Sequence, residues 1–203
     1  MSHPGALLAK PFSLSSKQTS KQQQGISKLQ RVKRQVLKQQ CQLHEDEACD
    51  GILLVDANNA FNELNRATAL WNAQIVCPPF STVLINTYRG HARLFVAGGR
   101  ELSSREGTTQ GCPLAMPMYA VGVLPLISGS SGHCHQVWYA DDATGSGRFP
   151  SLRAWWDAVV SNGPAFGYFP NASKTWLIVQ EAKLPEASHE FEGTGVRITT
   201  SGQ

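Results

Sequence analysis

An α+β fold is predicted by three features of the 203-residue chain. Gly51-Ile52-Leu53-Leu54-Val55 is an apolar run of strand length that ends in an acid, Asp56. Two hairpin patterns come later, one turning at Gly98-Gly99 and one tipped by the adjacent carboxylates Asp141-Asp142. Segments with apolar residues at helical spacing separate and follow them. The architecture this order implies is an antiparallel sheet with helices packed on one face. A disordered or helical basic N-terminal segment, residues 1–50, precedes the folded body, residues 51–203.

The elements follow in order. Residues 1–30 are rich in Ser, Gln and Lys and poor in large apolar residues, a composition that does not fold alone. Leu29, Val32, Val36 and Leu37 give a partial helical period within a basic stretch. After Asp56, the positions Leu64, Ala67, Thr68, Trp71 and Ile75 predict an amphipathic helix with Asn62 as its cap. Pro78-Pro79 ends that helix and opens another through Tyr88. Residues 92–97 alternate as a strand, and Gly98-Gly99 turns the chain into 100–103. Pro113 is expected to open the next helix, with Pro117 delaying or kinking it. Gln136-Val137-Trp138 forms the strand that leads to Tyr139-Ala140-Asp141-Asp142, and a glycine-rich return strand follows. A helix over 151–162 buries Leu152, Trp155, Trp156, Val159 and Val160, and Asn162-Gly163-Pro164 stops it. Segments 174–179 and 195–199 read as two final strands.

Charge is unevenly distributed. Residues 1–40 hold eight of the 18 basic residues and no acidic one, leaving 10 basic against 15 acidic residues in the remainder. Such an arm suits contact with a polyanion; it reads equally as a solvated tail. No stretch approaches the roughly 20 apolar residues of a membrane span, and no signal peptide is recognisable. Five cysteines at irregular spacings point to a reduced, intracellular protein, nuclear or cytoplasmic. Neither Cys41-x2-His44-x4-Cys49 nor His133-Cys134-His135 completes a tetrahedral metal shell.

The acids are the chemically informative residues. Two unit charges about 4 Å apart at an effective dielectric of 20 repel by roughly 4 kcal/mol, so an adjacent pair favours a cation. Oxygen donors select a hard divalent ion such as Mg²⁺. On its own, Asp141-Asp142 reads more readily as a solvated polar turn than as a metal site. Asp56 changes the weighting, because it ends a strand that can lie beside the hairpin. Acids presented at one end of neighbouring strands suit two-metal phosphoryl chemistry.

Four blocks carry a family resemblance: Leu54-Val55-Asp56-Ala57-Asn58-Asn59-Ala60-Phe61-Asn62; Glu106-Gly107-Thr108-Thr109-Gln110-Gly111-Cys112-Pro113-Leu114; Tyr139-Ala140-Asp141-Asp142; and Gly167-Tyr168-Phe169-Pro170-Asn171-x-x-Lys174-Thr175. In this order they resemble the palm motifs of reverse transcriptases, in the style of non-long-terminal-repeat retroelements. The resemblance implies an RNA-directed DNA polymerase that adds deoxynucleotides to a primer 3′-hydroxyl. Its partners would be an RNA template, a DNA primer and deoxynucleoside triphosphates, and its cofactor two Mg²⁺ ions, with Mn²⁺ as a substitute. Asp56, Asp141 and Asp142 would be the metal-bearing catalytic acids, with the Ala57 carbonyl lending an oxygen. Phe61 falls where the family places an aromatic beneath the nucleotide sugar; an ordinary core aromatic is the other reading. Gln110, Gly111 and Tyr139 would contact the nucleotide, and Lys174 would protonate the leaving pyrophosphate, unless it is simply an exposed lysine.

The resemblance covers residues 51–179. The expectation is a palm with partial fingers and no thumb, weak or inactive alone. The alternative is a catalytically silent retroelement remnant that binds nucleic acid nonspecifically. A nucleotide cyclase would carry a Gly-Gly-acid-acid-Phe loop, which this sequence lacks.

Overall fold

The computed structural model describes residues 49–109 and 111–200. The basic arm, its helical period and Gln110 lie outside the described residues. Five strands form the main sheet in the order β4-β5-β1-β6-β7, where β1 is Gly51–Val55, β4 His135–Tyr139, β5 Asp142–Gly147, β6 Trp176–Val179 and β7 Arg197–Thr199. A separate two-stranded hairpin pairs β2 (Ala92–Val96) with β3 (Arg100–Ser104). The sheet is antiparallel except for its last pair. β6 and β7 run parallel, because the intervening chain passes through a helix instead of a tight turn.

Register explains which face carries the helices. Leu53 pairs with Leu177 and Gly145, and Val55 with Ala143, while Trp138 pairs with Ala143 and Ile198 with Leu177. These residues share one face, and all but Gly145 belong to or pack against the buried apolar core. Glycine on that face makes room for aromatic rings. A Cβ on Gly145 would stand 2.8 Å from the Trp155 ring, and one on Gly51 3.0 Å from Phe149. Both rings come from α5 (Phe149–Asn162), whose buried residues also include Leu152, Trp156 and Val159. Val160, expected on that face, is instead 41% exposed. Gln136 completes the layer: its Oε1 accepts from Trp138 Nε1 at 2.9 Å, Trp155 Nε1 at 2.8 Å and Ser130 Oγ at 3.1 Å. Its amide donates to the Ile127 carbonyl at 2.7 Å, so this half-buried polar group is satisfied.

Several helices depart from expectation. The stretch after Asp56 splits into α1 (Ala60–Glu63) and α2 (Arg66–Val76), and the cap of α2 is Asn65, which accepts from Thr68 N at 3.0 Å, not Asn62. The predicted apolar face is inverted, with Trp71 and Ile75 65% and 66% exposed. Ala69 and Ala73 face inward instead. Close helix approach is the reason, because α2 meets α4 (Ala115–Ser130) at Gly122, where a Cβ would lie 2.9 Å from that of Ala69. Helix α3 is Pro78–Tyr88, as predicted. Helix α4 starts two residues beyond Pro113. Pro117 sits third in it, where the backbone N–H has no helical partner to lose. A short helix, α6 (Leu184–Glu190), has no counterpart in the sequence reading; Arg153 Nη1 anchors it through the Glu190 carbonyl at 2.7 Å. Strand β6 begins at Trp176, because Ala172–Lys174 form a 3₁₀ turn. No helix among the described residues is long and apolar enough to cross a membrane.

Candidate active site

Asp56 is the first residue beyond β1 and Asp142 the first of β5. Val55 pairs with Ala143, and continuing that register by one step sets Asp56 opposite Asp142. Asp142 in turn pairs with Tyr139 across the hairpin, and Asp141 occupies the two-residue turn with Ala140. All three acids are half-buried. Alternation puts Asp56 and Asp142 on the face opposite the helix-bearing one. Ala140 takes φ +54°, a left-handed conformation that costs a residue with a Cβ about 1–2 kcal/mol. Strain of this kind collects at functional turns.

The Gly167–Asn171 segment holds both acid-bearing strand ends. Asn171 N donates to the Asp56 carbonyl at 2.8 Å, and Asn58 N donates to the Phe169 carbonyl at 2.8 Å. Ala57 bridges Pro170 between those bonds, which leaves its own carbonyl outside the bridge. The Asn171 amide also donates to Asn58 Oδ1 at 2.7 Å. On the hairpin side, the wholly buried Tyr168 donates its hydroxyl to the Asp141 carbonyl at 3.1 Å. Burial pushes the Tyr168 phenol well above its ordinary range, and Tyr119, Asp141, Asp142 and Asp56 push it further. One buried oxygen thus feels all three carboxylates.

Gly167 permits the segment to turn. Its φ is +75°, and a Cβ there would lie 1.9 Å from the Glu63 carbonyl oxygen. Gly107 does the same for the second motif block, with φ +73° and a would-be Cβ 2.3 Å from the Asn62 oxygen. Gly107 N and Thr108 N donate to the Leu64 and Phe61 carbonyls at 2.8 and 2.7 Å, which ties that block to the helix after Asp56. Buried Arg66 reinforces the tie. Its guanidinium donates to the Gly90, Ser104, Glu106 and Gly107 carbonyls at 2.7–3.2 Å.

The remaining predicted residues are placed as follows. Phe61 packs its half-buried ring on Tyr119, with centroids 4.6 Å apart. Gly111 is exposed at φ +85° with nothing within 4 Å of a would-be Cβ, so conformation, not crowding, calls for glycine there. Lys174 is exposed in the 3₁₀ turn before β6. Sequence reasoning assigned no role to Tyr119, Tyr168 or Arg66. Tyr168 was visible in the fourth motif block, whereas Arg66 lay off the predicted apolar face and carried no sequence signal.

Three carboxylates and a backbone carbonyl are hard oxygen donors of the kind Mg²⁺ takes. Their backbones are gathered at one end of the sheet. Among the described residues no group of three His, Cys, Asp or Glu side chains stands in a metal-holding arrangement. The donor types suit such an ion, and the side chains do not form a cage for it.

No protein-family model matches the chain, and no curated protein matches it. Among solved structures, it is similar to an apo telomerase from Candida tropicalis, with a TM-score of 0.60 and 13% identity over 75% of this chain and 33% of that one. It is also similar to the Candida tropicalis telomerase in complex with a TWJ fragment of telomeric RNA, with a TM-score of 0.56 and 13% identity over 75% of this chain and 30% of that one. The corresponding Candida albicans complex gives a TM-score of 0.53 and 11% identity, over 75% and 31%. The chain therefore spans about a third of the length of the structures it matches. At this identity the likeness concerns the fold alone, a mixed α+β arrangement similar to part of those telomerase structures.

Proposed function

We propose that the chain is the palm of an RNA-directed DNA polymerase from a non-long-terminal-repeat retroelement. The observation that carries this reading is the frame of the acids, since one segment, Gly167–Asn171, binds both the Asp56 and the Asp141 strand ends at one end of a polymerase-type sheet. In this reading Asp56, Asp141 and Asp142 hold two Mg²⁺ ions, with the Ala57 carbonyl as a further oxygen. Bound ions would supply Lewis-acid polarisation of the primer 3′-hydroxyl and of the triphosphate. Phe61, backed by Tyr119, presents a ring edge to the sugar and disfavours a 2′-hydroxyl. Gln110, Gly111 and Tyr139 line the nucleotide, and exposed Lys174 delivers a proton to the departing pyrophosphate. The partners are an RNA template, a DNA primer and deoxynucleoside triphosphates.

The test pairs binding with activity. Millimolar Mg²⁺ should raise the melting temperature of the wild-type chain and leave Asp141→Asn unmoved, because an ion that binds only the folded state stabilises it by mass action. Deoxynucleotide addition to a DNA primer on an RNA template should depend on Asp56 and Asp141. RNA binding with no Mg²⁺ response and no acid-dependent extension would reduce the chain to a silent nucleic-acid binder.

A further inference from the structure

The β2–β3 hairpin forms a sheet of its own, and its charge is opposite to that of the body around it. Residues 89–105 hold four arginines, Arg89, Arg93, Arg100 and Arg105, against one acid, Glu101. The rest of residues 41–203 carries 6 basic against 14 acidic residues. All four arginines are exposed. Strand pairing sets Phe95 opposite Glu101 and Arg93 opposite Ser103, so these four residues share one face. Arg93 Nε lies 3.5 Å from Glu101 Oε1, which neutralises the one acid. Phe95 is 79% exposed, more than any other large apolar side chain among the described residues. The feet of the hairpin are held by Arg66, whose guanidinium donates to the Gly90 carbonyl at 3.2 Å on one side and the Ser104 carbonyl at 3.1 Å on the other. The side chain that ties the second motif block to the helix after Asp56 therefore also seats the hairpin. Strands of five residues extend roughly 17 Å.

Folding alone does not account for this composition. A two-stranded hairpin is marginal in water by itself, and a ring left in solvent adds little to its packing. A flat apolar ring among guanidinium groups suits a ligand that offers π faces and a repeated negative charge. Single-stranded nucleic acid offers both, because its bases are free to stack while its phosphates meet the cations. We propose that the β2–β3 hairpin is a contact for single-stranded RNA, with Phe95 stacking a base and Arg89, Arg100 and Arg105 engaging phosphates. The choice of RNA rests on the polymerase reading above, in which the template is the strand supplied. Seating on Arg66 joins this contact mechanically to the segment that follows Asp56.

The experiment uses the full chain and a labelled single-stranded oligoadenylate, with affinity read by fluorescence anisotropy at high salt, where the charge-driven share of binding shrinks. Phe95→Ala should bind about tenfold more weakly, and Phe95→Leu should lose as much, because stacking needs an aromatic face. Phe95→Trp should bind at least as tightly as wild type. All three should melt with wild type, since the ring is mostly in solvent. Arg100→Gln should flatten the slope of log affinity against log salt by about 0.7, while Phe95→Ala leaves that slope unchanged. Equal affinity of wild type and Phe95→Ala, or full affinity in Phe95→Leu, would overturn the stacking contact and leave the face to a protein partner. A lower melting temperature in Phe95→Ala would also overturn it, by making the ring part of the fold. Primer extension that depends on Asp56, found together with unchanged RNA affinity in Phe95→Ala, would sink the hairpin contact alone. The expected Phe95 losses without any extension would keep the RNA contact and withdraw the polymerase reading.

Discussion

Tyr168→Phe and Tyr119→Phe delete the same atom from two buried rings at the same end of the sheet, and the structure gives them opposite signs. Tyr168 donates at 3.1 Å to the Asp141 carbonyl, and its loss forfeits a made hydrogen bond, worth about 0.5–1.5 kcal/mol net. The cost should stay within that range, because Asp141 is half-buried and its carbonyl can turn to water. Tyr119 donates to nothing among the described residues, so its loss relieves an unmet group whose burial costs about 1–3 kcal/mol. In EDTA, urea unfolding should therefore place Tyr168→Phe below wild type and Tyr119→Phe level with or above it. For a chain of this size, 1 kcal/mol moves a melting midpoint by roughly 2–4 °C. The double variant is informative as well. Both rings belong to the same buried core, so non-additivity is expected if removing one hydroxyl lets the other ring rearrange. Equal destabilisation by both single variants would refute the assignment of one satisfied and one orphaned phenol.

Other perturbations probe the rest of the frame. Gly167→Ala should cost about 3 kcal/mol or more, from a left-handed φ of +75° and a Cβ 1.9 Å from the Glu63 oxygen; unchanged urea unfolding would contradict that geometry. Asp50 is desolvated by burial, which raises its pKa. Its ion pair with Lys183 and the 3.3 Å bond from Phe149 N outweigh that and hold the carboxyl below its usual range. A depressed folded pKa stabilises above the unfolded value near 4, and that contribution fades as pH falls through the folded value. Asp50→Asn should thus cost about 1.5–3 kcal/mol at pH 7 and progressively less in acid, and parallel stability curves from pH 7 to 2 would refute it. Deleting residues 1–40 removes eight positive charges and no negative ones. The slope of log affinity for single-stranded RNA against log salt should flatten by up to about 0.7 per charge engaged, and an unchanged slope would make the arm a solvated tail.

How much of this was legible depended on whether a signal was local. Strand β1, both hairpins, α3 and α5 announced themselves by apolar runs, paired glycines and Pro or Asn punctuation. Helix α2 was readable as a helix but not by face. Trp71 and Ile75 are the larger apolar residues, yet proximity to Gly122 selects Ala69 and Ala73, and that proximity is a tertiary fact. The parallel pairing of β7 and the short helix α6 leave no periodic trace. The acids and the strand ends bearing them were readable from motif order. The frame around them was not: Tyr168 reaching Asp141, Tyr119 beneath Phe61 and Arg66 across four carbonyls arise only when distant segments meet.

Strand β1 is the first strand of the main sheet along the chain, yet it lies at the centre, between β5 and β6. The contact between Asn58 and Asn171 spans 113 positions. Chain closure on that scale makes assembly slow compared with local helix formation. During synthesis Ile52, Leu53, Leu54 and Val55 emerge long before either flanking strand exists, presenting an unpaired apolar edge of the kind that aggregates. The acids cannot be framed until residues 167–171 arrive, so a competent site would certify that nearly the whole body has folded.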